Sequence, residues 1–226
     1  MHALMMNTPL MISSILKHAE KNFPEVEMVS VTVDHPRHRQ NNRIFARRCR
    51  QLANVLESLG AAFGDRIGTL AWNDFRHMEL YYAVSGSGMV CHTINPKLFP
   101  EQVAYIINHA EDKILFVDVL VLPLLEALSE HLAKVEIIVV LTEKTHMPES
   151  NLPNLLCYEE LLEAQSDVYE WPEFDENTAS GMCYTSGTTG NPKGVVYSHR
   201  STVLHALSGA LPDVTGASNM TTSLPV

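Results

Sequence analysis

Apolar positions along the chain switch repeatedly between two periods. Residues 28–33 alternate apolar and polar, as a strand with one buried face does. From Phe45 the apolar positions Cys49, Leu52, Ala53, Leu56 and Leu59 form a helical stripe that stops at Gly60. Residues 66–72, 89–94, 114–118 and 137–141 are short apolar runs of strand length. Helix signals lie between them. Asn73 or Asp74 is placed to cap a helix through Val84, and Pro100 with Glu101 opens another that reaches His109. Proline fits the first helical turn, and an acid is favoured at a helix N-terminus. A further helix is expected over 120–132, and Thr8 with Pro9 reads as the start of one running towards Asn22. Residues 35–42 read as a polar turn or the loop of a hairpin. The runs 114–117 and 137–141 are continuously apolar, as parallel strands covered on both faces are. This alternation predicts an α/β fold, a mostly parallel sheet flanked by helices.

Composition narrows the class. At 226 residues, with 46% hydrophobic and 19% charged content, the chain can bury a sizeable core and is not disordered. Its formal charge of −10 argues against nucleic acid and anionic lipid as partners, because those surfaces recruit clustered positive charge. No run approaches the ~20 apolar residues of a membrane span, so no transmembrane segment is expected. The N-terminus carries neither a basic leader nor a cleavage site, and a cytoplasmic protein is expected. Cys49, Cys91, Cys157 and Cys183 are too dispersed for a zinc site or a disulfide framework.

Charge is unevenly spread. Arg37, Arg39, Arg43, Arg47, Arg48 and Arg50 cluster at helical spacing and read as a solvated face. From 145 to 192 there is no lysine or arginine, while nine acids occur. That stretch divides the chain into a first α/β portion (1–142), an acidic surface connection (143–179) carrying one short helix over 158–164, and a last portion (180–226). Glu159 and Glu160 are expected to be an exposed pair at the start of that short helix. The eleven histidines show no metal-ligand spacing and read as structural.

The last portion carries the chemistry. An apolar strand ending at Tyr184 runs into Thr185, Ser186, Gly187, Thr188, Thr189, Gly190, Asn191, Pro192, Lys193 and Gly194, and a second apolar strand follows over 195–197. Glycines let backbone N–H groups turn towards an anion, hydroxyls add donors, and a lysine supplies a mobile positive charge. A threonine oxygen can also join the shell of a magnesium ion. This is chemistry for gripping a nucleoside triphosphate. It is not a Walker A loop, since Lys193 follows Pro192 and precedes Gly194, and Gly86-Ser87-Gly88 is too little for a dinucleotide fingerprint. On composition alone, a flexible Ser/Thr/Gly surface loop is an equal reading. Cys183, inside the first strand, is expected to be buried and inert.

The run from Tyr184 to Gly194 resembles the phosphate-loop signature of the adenylate-forming (ANL) superfamily, which includes acyl-CoA synthetases, peptide-synthetase adenylation domains and luciferases. Similarity extends upstream to 47–60, to Gly64-Asp65-Arg66-Ile67 and to Asn95-Pro96-Lys97-Leu98; Trp72 departs from the usual proline. Residues 197–202 are most similar to the fatty-acyl and methylthio-propanoate CoA ligase branch. The resemblance implies that the chain is the first part of the large N-terminal, AMP-binding domain of such an enzyme. It implies attack of a carboxylic acid on ATP to give an acyl-adenylate, then transfer to coenzyme A. Thr185, Ser186, Gly187, Thr188, Thr189, Gly190 and Lys193 would contact the nucleotide, with Thr185 beside magnesium (Mg2+).

Relatives of this kind are more than twice as long, often homodimeric, and carry their magnesium-binding glutamate, ribose-binding aspartate, catalytic lysine and C-terminal domain further on. Their acyl pocket is also built mainly beyond this length. The apolar run over 221–226 reads as a strand awaiting partners. The chain is therefore expected to be an N-terminal fragment, inactive alone and without a catalytic residue of its own. The alternative is a stand-alone nonenzymatic nucleotide-binding or interaction module.

Overall fold

The computed structural model describes residues 5, 7–185, 190–216 and 221–223. Nine strands and eight helices are formed among them: β1 (Glu27–Ser30), β2 (His38–Asn41), β3 (Arg66–Leu70), β4 (Val90–Thr93), β5 (Ile114–Val117), β6 (Ile137–Val140), β7 (Leu155–Cys157), β8 (Ala179–Tyr184) and β9 (Gly194–Ser198). The helices are α1 (Ile12–Asn22), α2 (Asn42–Ser58), α3 (Phe75–Gly86), α4 (Pro100–Ala110), α5 (Leu122–Leu128), α6 (Tyr158–Glu163), α7 (His199–Gly209) and α8 (Pro212–Thr215).

Seven strands form one sheet in the order β7-β6-β5-β3-β4-β8-β9. Every neighbouring pair is parallel except β8 and β9, which run antiparallel. The expected fold class holds, and β8 and β9 continue the sheet that β3 begins. Helices α2, α3 and α6 cover one face with Leu52, Leu56, Leu80, Val84 and Leu162 against Ile67, Ile114 and Phe116. Helices α4 and α5 cover the other with Val103, Ile107 and Leu125 against Leu70, Leu115 and Val140. The continuously apolar strand β5 is buried at every position, as two-sided cover requires.

Local signals set the helix starts. The Asp74 carboxylate accepts the His77 N–H at 2.8 Å, and the Asn41 side chain accepts the Ile44 N–H at 3.0 Å. Several expectations are corrected. Helix α1 starts after Met11 rather than at Thr8. A hairpin is present at 35–42 as one of the two readings had it, but residues 38–41 form its second strand, β2, paired antiparallel with β1, rather than its loop. In the alternating stretch before it, Val29, Val31 and Val33 face solvent, so the period was right but the valines are not core. The helix expected over 120–132 is broken into α5 flanked by 3-10 turns at Val119–Val121 and Ser129–His131, with Pro123 unable to donate in the first turn of α5. Residues 221–223 adopt no strand, and 224–226 lie outside the described residues.

The acidic connection is more than a surface link. Its β7 extends the sheet, and Trp171 is buried against Gly86, where a Cβ would lie 2.6 Å from the indole ring.

Candidate phosphate-binding site

The loop that carries the phosphate-binding signature hangs between β8 and β9. Their antiparallel register ends at the pair Tyr184 and Gly194. One step further the Thr185 N–H donates to the Lys193 carbonyl at 3.0 Å, closing a narrow neck. Thr185, Gly190 and Lys193 are exposed, and Gly190 has φ +124°, a conformation that costs only glycine nothing. Ser186, Gly187, Thr188 and Thr189 lie outside the described residues. The neck thus brings Thr185 and Lys193 together at the mouth of the loop, with Gly190 in the loop itself.

The electrostatics favour an anion there despite the chain's overall charge. From 177 to 212 the sequence contains Lys193 and Arg200 and no aspartate or glutamate, a signal the motif reading passed over. Arg200 is paired with Glu176, whereas no carboxylate among the described residues pairs with Lys193. A lysine with no paired carboxylate among the described residues, beside the Thr185 hydroxyl, is suited to a phosphate chain. For magnesium the chain offers an oxygen at Thr185. No cluster of three or more His, Cys, Asp or Glu side chains suited to a metal occurs among the described residues.

Helix α7 leaves the hairpin with its first turn already satisfied. The Ser198 hydroxyl accepts the Ser201 N–H at 3.1 Å, and the Ser201 hydroxyl accepts the Ser198 N–H at 3.0 Å. Next to it His199 is fully buried, its Nδ1 accepting the Ile12 N–H at 3.2 Å, which ties α1 to α7. Burial holds this imidazole down at about 4.

Between α7, α3 and the sheet lies an apolar cavity of about 830 Å³, with Met78, Tyr81, Cys91, Met182, Cys183 and Tyr197 among its walls. Cys91 is buried, and burial followed by the Asp112 charge pushes its thiol up to about 12. Cys183 corrects the expectation of a buried residue: it is half-buried and faces this cavity, which separates β8 from the helices above it.

Sequence reasoning also missed a buried ionic cluster. Arg48 bonds the Glu79 carboxylate through Nε at 2.7 Å and the Glu159 carboxylate through Nη1 at 2.9 Å. Arg76, fully buried, bonds Glu159 through Nε at 2.7 Å and Asp34 through Nη2 at 2.8 Å. The Tyr158 hydroxyl donates to Glu79 at 2.7 Å. Burial pushes Glu79 upward. Burial also opposes the Asp34 charge, but hydrogen bonds from Arg76 and Thr32 outweigh it and hold that carboxyl well below the usual range. Arg48 is therefore not part of a solvated face, and Glu159 is not exposed, although Glu160 is. The spacing carried a hint: Arg48 sits on the stripe of Phe45, Cys49 and Leu52, which faces the core.

Comparison with known proteins fits this architecture. The pattern of the AMP-binding enzyme family matches residues 16–225. The chain belongs to that family. It is 50% identical to the 3-methylmercaptopropionyl-CoA ligase of Ruegeria lacuscaerulensis over 98% of its own length and 41% of that protein's. It is 47% identical to the medium-chain-fatty-acid–CoA ligase of Ectopseudomonas oleovorans over the same shares. Among solved structures, the anthranilate CoA ligase AuaEII, in complex with anthranoyl-AMP, superposes with a TM-score of 0.74 at 26% identity, covering 88% of this chain and 37% of that one. The chain spans about two-fifths of the length of the curated relatives it matches. No helix among its described residues is long and apolar enough to cross a membrane.

Proposed function

We propose that this chain is the phosphate-gripping portion of an AMP-forming acyl-CoA ligase. In that reaction a carboxylate oxygen bonds to the α-phosphorus of ATP and pyrophosphate leaves. The coenzyme A thiol then displaces AMP to form a thioester. The observation that carries the reading is the closed neck between Thr185 and Lys193, in a chain that matches CoA ligases along almost its whole length. Thr185, Ser186, Gly187, Thr188, Thr189 and Gly190 would donate to the β- and γ-phosphates, and Lys193 would offset the charge that grows on the leaving pyrophosphate. The Thr185 hydroxyl would help hold a magnesium ion bound with ATP, which would supply positive charge against the phosphates. The apolar cavity beside β8 suits the hydrocarbon part of an acid. The same proposal places the longer enzyme in the cytoplasm as a homodimer, and it makes the 226 residues inactive alone.

The test joins this chain to the remainder of the Ruegeria lacuscaerulensis ligase. Pyrophosphate release is then measured with ATP, magnesium, coenzyme A and a panel of methylmercaptopropionate, medium-chain and long-chain acids. The joined protein should release pyrophosphate with at least one acid, and Lys193→Ala and Thr185→Ala should each lower kcat/KM for ATP about a hundredfold. The 226-residue chain should release none above background. Acid-dependent release by the short chain, or a joined enzyme indifferent to both substitutions, would overturn the reading.

A further inference from the structure

The residue that precedes the loop has an environment unlike the rest of β8. Tyr184 directs its ring across the hairpin neck towards Gly194. A Cβ placed on Gly194 would sit 3.2 Å from the ring's Cζ and 3.4 Å from its hydroxyl oxygen, tighter than side chains normally pack. A side chain at 194 would therefore require the ring to shift by a few tenths of an ångström. The ring joins the cluster on the α4 face of the sheet and lies 5.3 Å, centroid to centroid, from the His92 imidazole. His92 is itself fixed, its Nδ1 2.8 Å from the fully buried Asp112 carboxylate. The Tyr184 hydroxyl reaches the His109 Nδ1 at 2.7 Å, and the His109 ring stacks on Tyr105 one turn earlier in α4. One aromatic side chain thus touches the last β8 residue's partner across the neck, the floor of the sheet and a helix on its far side.

We propose that Tyr184 is a positioning residue for the phosphate loop: its ring sets the spacing of the two ends of the neck, and its hydroxyl, bonded to His109, anchors that neck to α4. The inference rests on reading residues 185–194 as the phosphate loop. A hairpin neck held by its final strand pair and one further N–H···O bond would fray, because the last bonds of a two-stranded ribbon are the weakest. Anchoring it to a helix lowers the cost of ordering Thr185 and Lys193 when an anion binds. The link is local, so its removal should loosen the loop and leave the sheet intact.

Amide hydrogen exchange on the 226-residue chain tests this without any nucleotide. Tyr184→Phe deletes only the hydroxyl, and His109→Leu deletes its partner together with the stack on Tyr105. Each should speed exchange of the Thr185 amide about fivefold to tenfold, leave protection of β3 and β5 unchanged, and gain nothing further when combined. Unchanged Thr185 exchange in both variants would overturn the proposal. So would acceleration spread evenly over the sheet, or effects that multiply in the double variant. In the enzyme joined to the Ruegeria lacuscaerulensis remainder, the same substitutions should raise KM for ATP about tenfold while leaving KM for the acid unchanged; a change in the acid alone would also overturn it. If the neck loosens as expected but Lys193→Ala has no effect on catalysis, the positioning role stands and the phosphate-loop reading fails.

Discussion

At the scale of single residues, burial decides more than charge type. His199 and His77 are both buried and both held at about 4, the former with its Nδ1 accepting a backbone N–H, the latter against the Trp72 carbonyl. The unfolded chain therefore binds two protons between pH 6.5 and 4 that the folded chain refuses. Their contribution to stability is complete above pH 6.5 and is lost as pH falls towards 4. Asp74 works in the opposite sense: burial raises it to about 6, so its contribution is complete below 3.8 and is lost as pH rises to 6. The Glu79, Asp112 and Asp118 carboxyls, also pushed upward by burial, act in the same sense as Asp74, so the contribution of His199 is read as the difference its removal makes, at most about 1.4 kcal/mol per pH unit between pH 6 and 4.5. In urea unfolding at pH 6.5 and at pH 5, His199→Asn should lose about 1–2 kcal/mol less on acidification than the unsubstituted chain. A slope unaltered by the substitution would show that His199 titrates alike in both states.

Elements show where sequence patterning succeeds and where it stops. The gap between α3 and the acidic connection depends on Gly86, against which the Trp171 ring packs. Gly86→Ala should displace that ring, cost about 1–3 kcal/mol in urea unfolding, and speed cleavage by a glutamate-specific protease at Glu170 and Glu173. The continuous apolar runs of β5 and β6, the Asp74 cap and the proline-opened α4 were legible because each is specified within a few residues. Strand β2 was not, since His38, Arg39, Gln40 and Asn41 are all polar and become a strand only by pairing with β1. Strand β7 is three residues long, too short to carry a period. In the candidate site, Thr185 and Lys193 were legible as a motif. Tyr184 to His109 was not, because the partners are 75 residues apart, and Glu159 lies 111 residues from Arg48. Local pattern cannot encode such pairings.

Across the whole molecule, apolar surface is distributed unevenly. Val195, Val196 and Tyr197 on β9 are exposed, as are Leu204 and Leu207 on α7, Leu211 in the turn that follows and Val214 on α8, and β9 is the last strand of the sheet among the described residues. An apolar edge strand is a template for pairing with another chain. The 226-residue chain should therefore associate as its concentration rises in sedimentation velocity, and Val196→Lys should hold it monomeric at the same concentrations. Association unaffected by that lysine would place the contact elsewhere.

The Arg76 cluster has a consequence for where the molecule can be divided. Its carboxylates come from the loop after β1 and from α6, on either side of the segment that builds most of the sheet. Residues 27–41 thus serve as more than an N-terminal appendage. A shortened chain beginning at Asn42 would keep every strand of the main sheet yet leave one side of a fully buried guanidinium without its counter-ion. The smallest piece able to fold is consequently set by electroneutrality in the interior, and it is longer than the sheet alone would require.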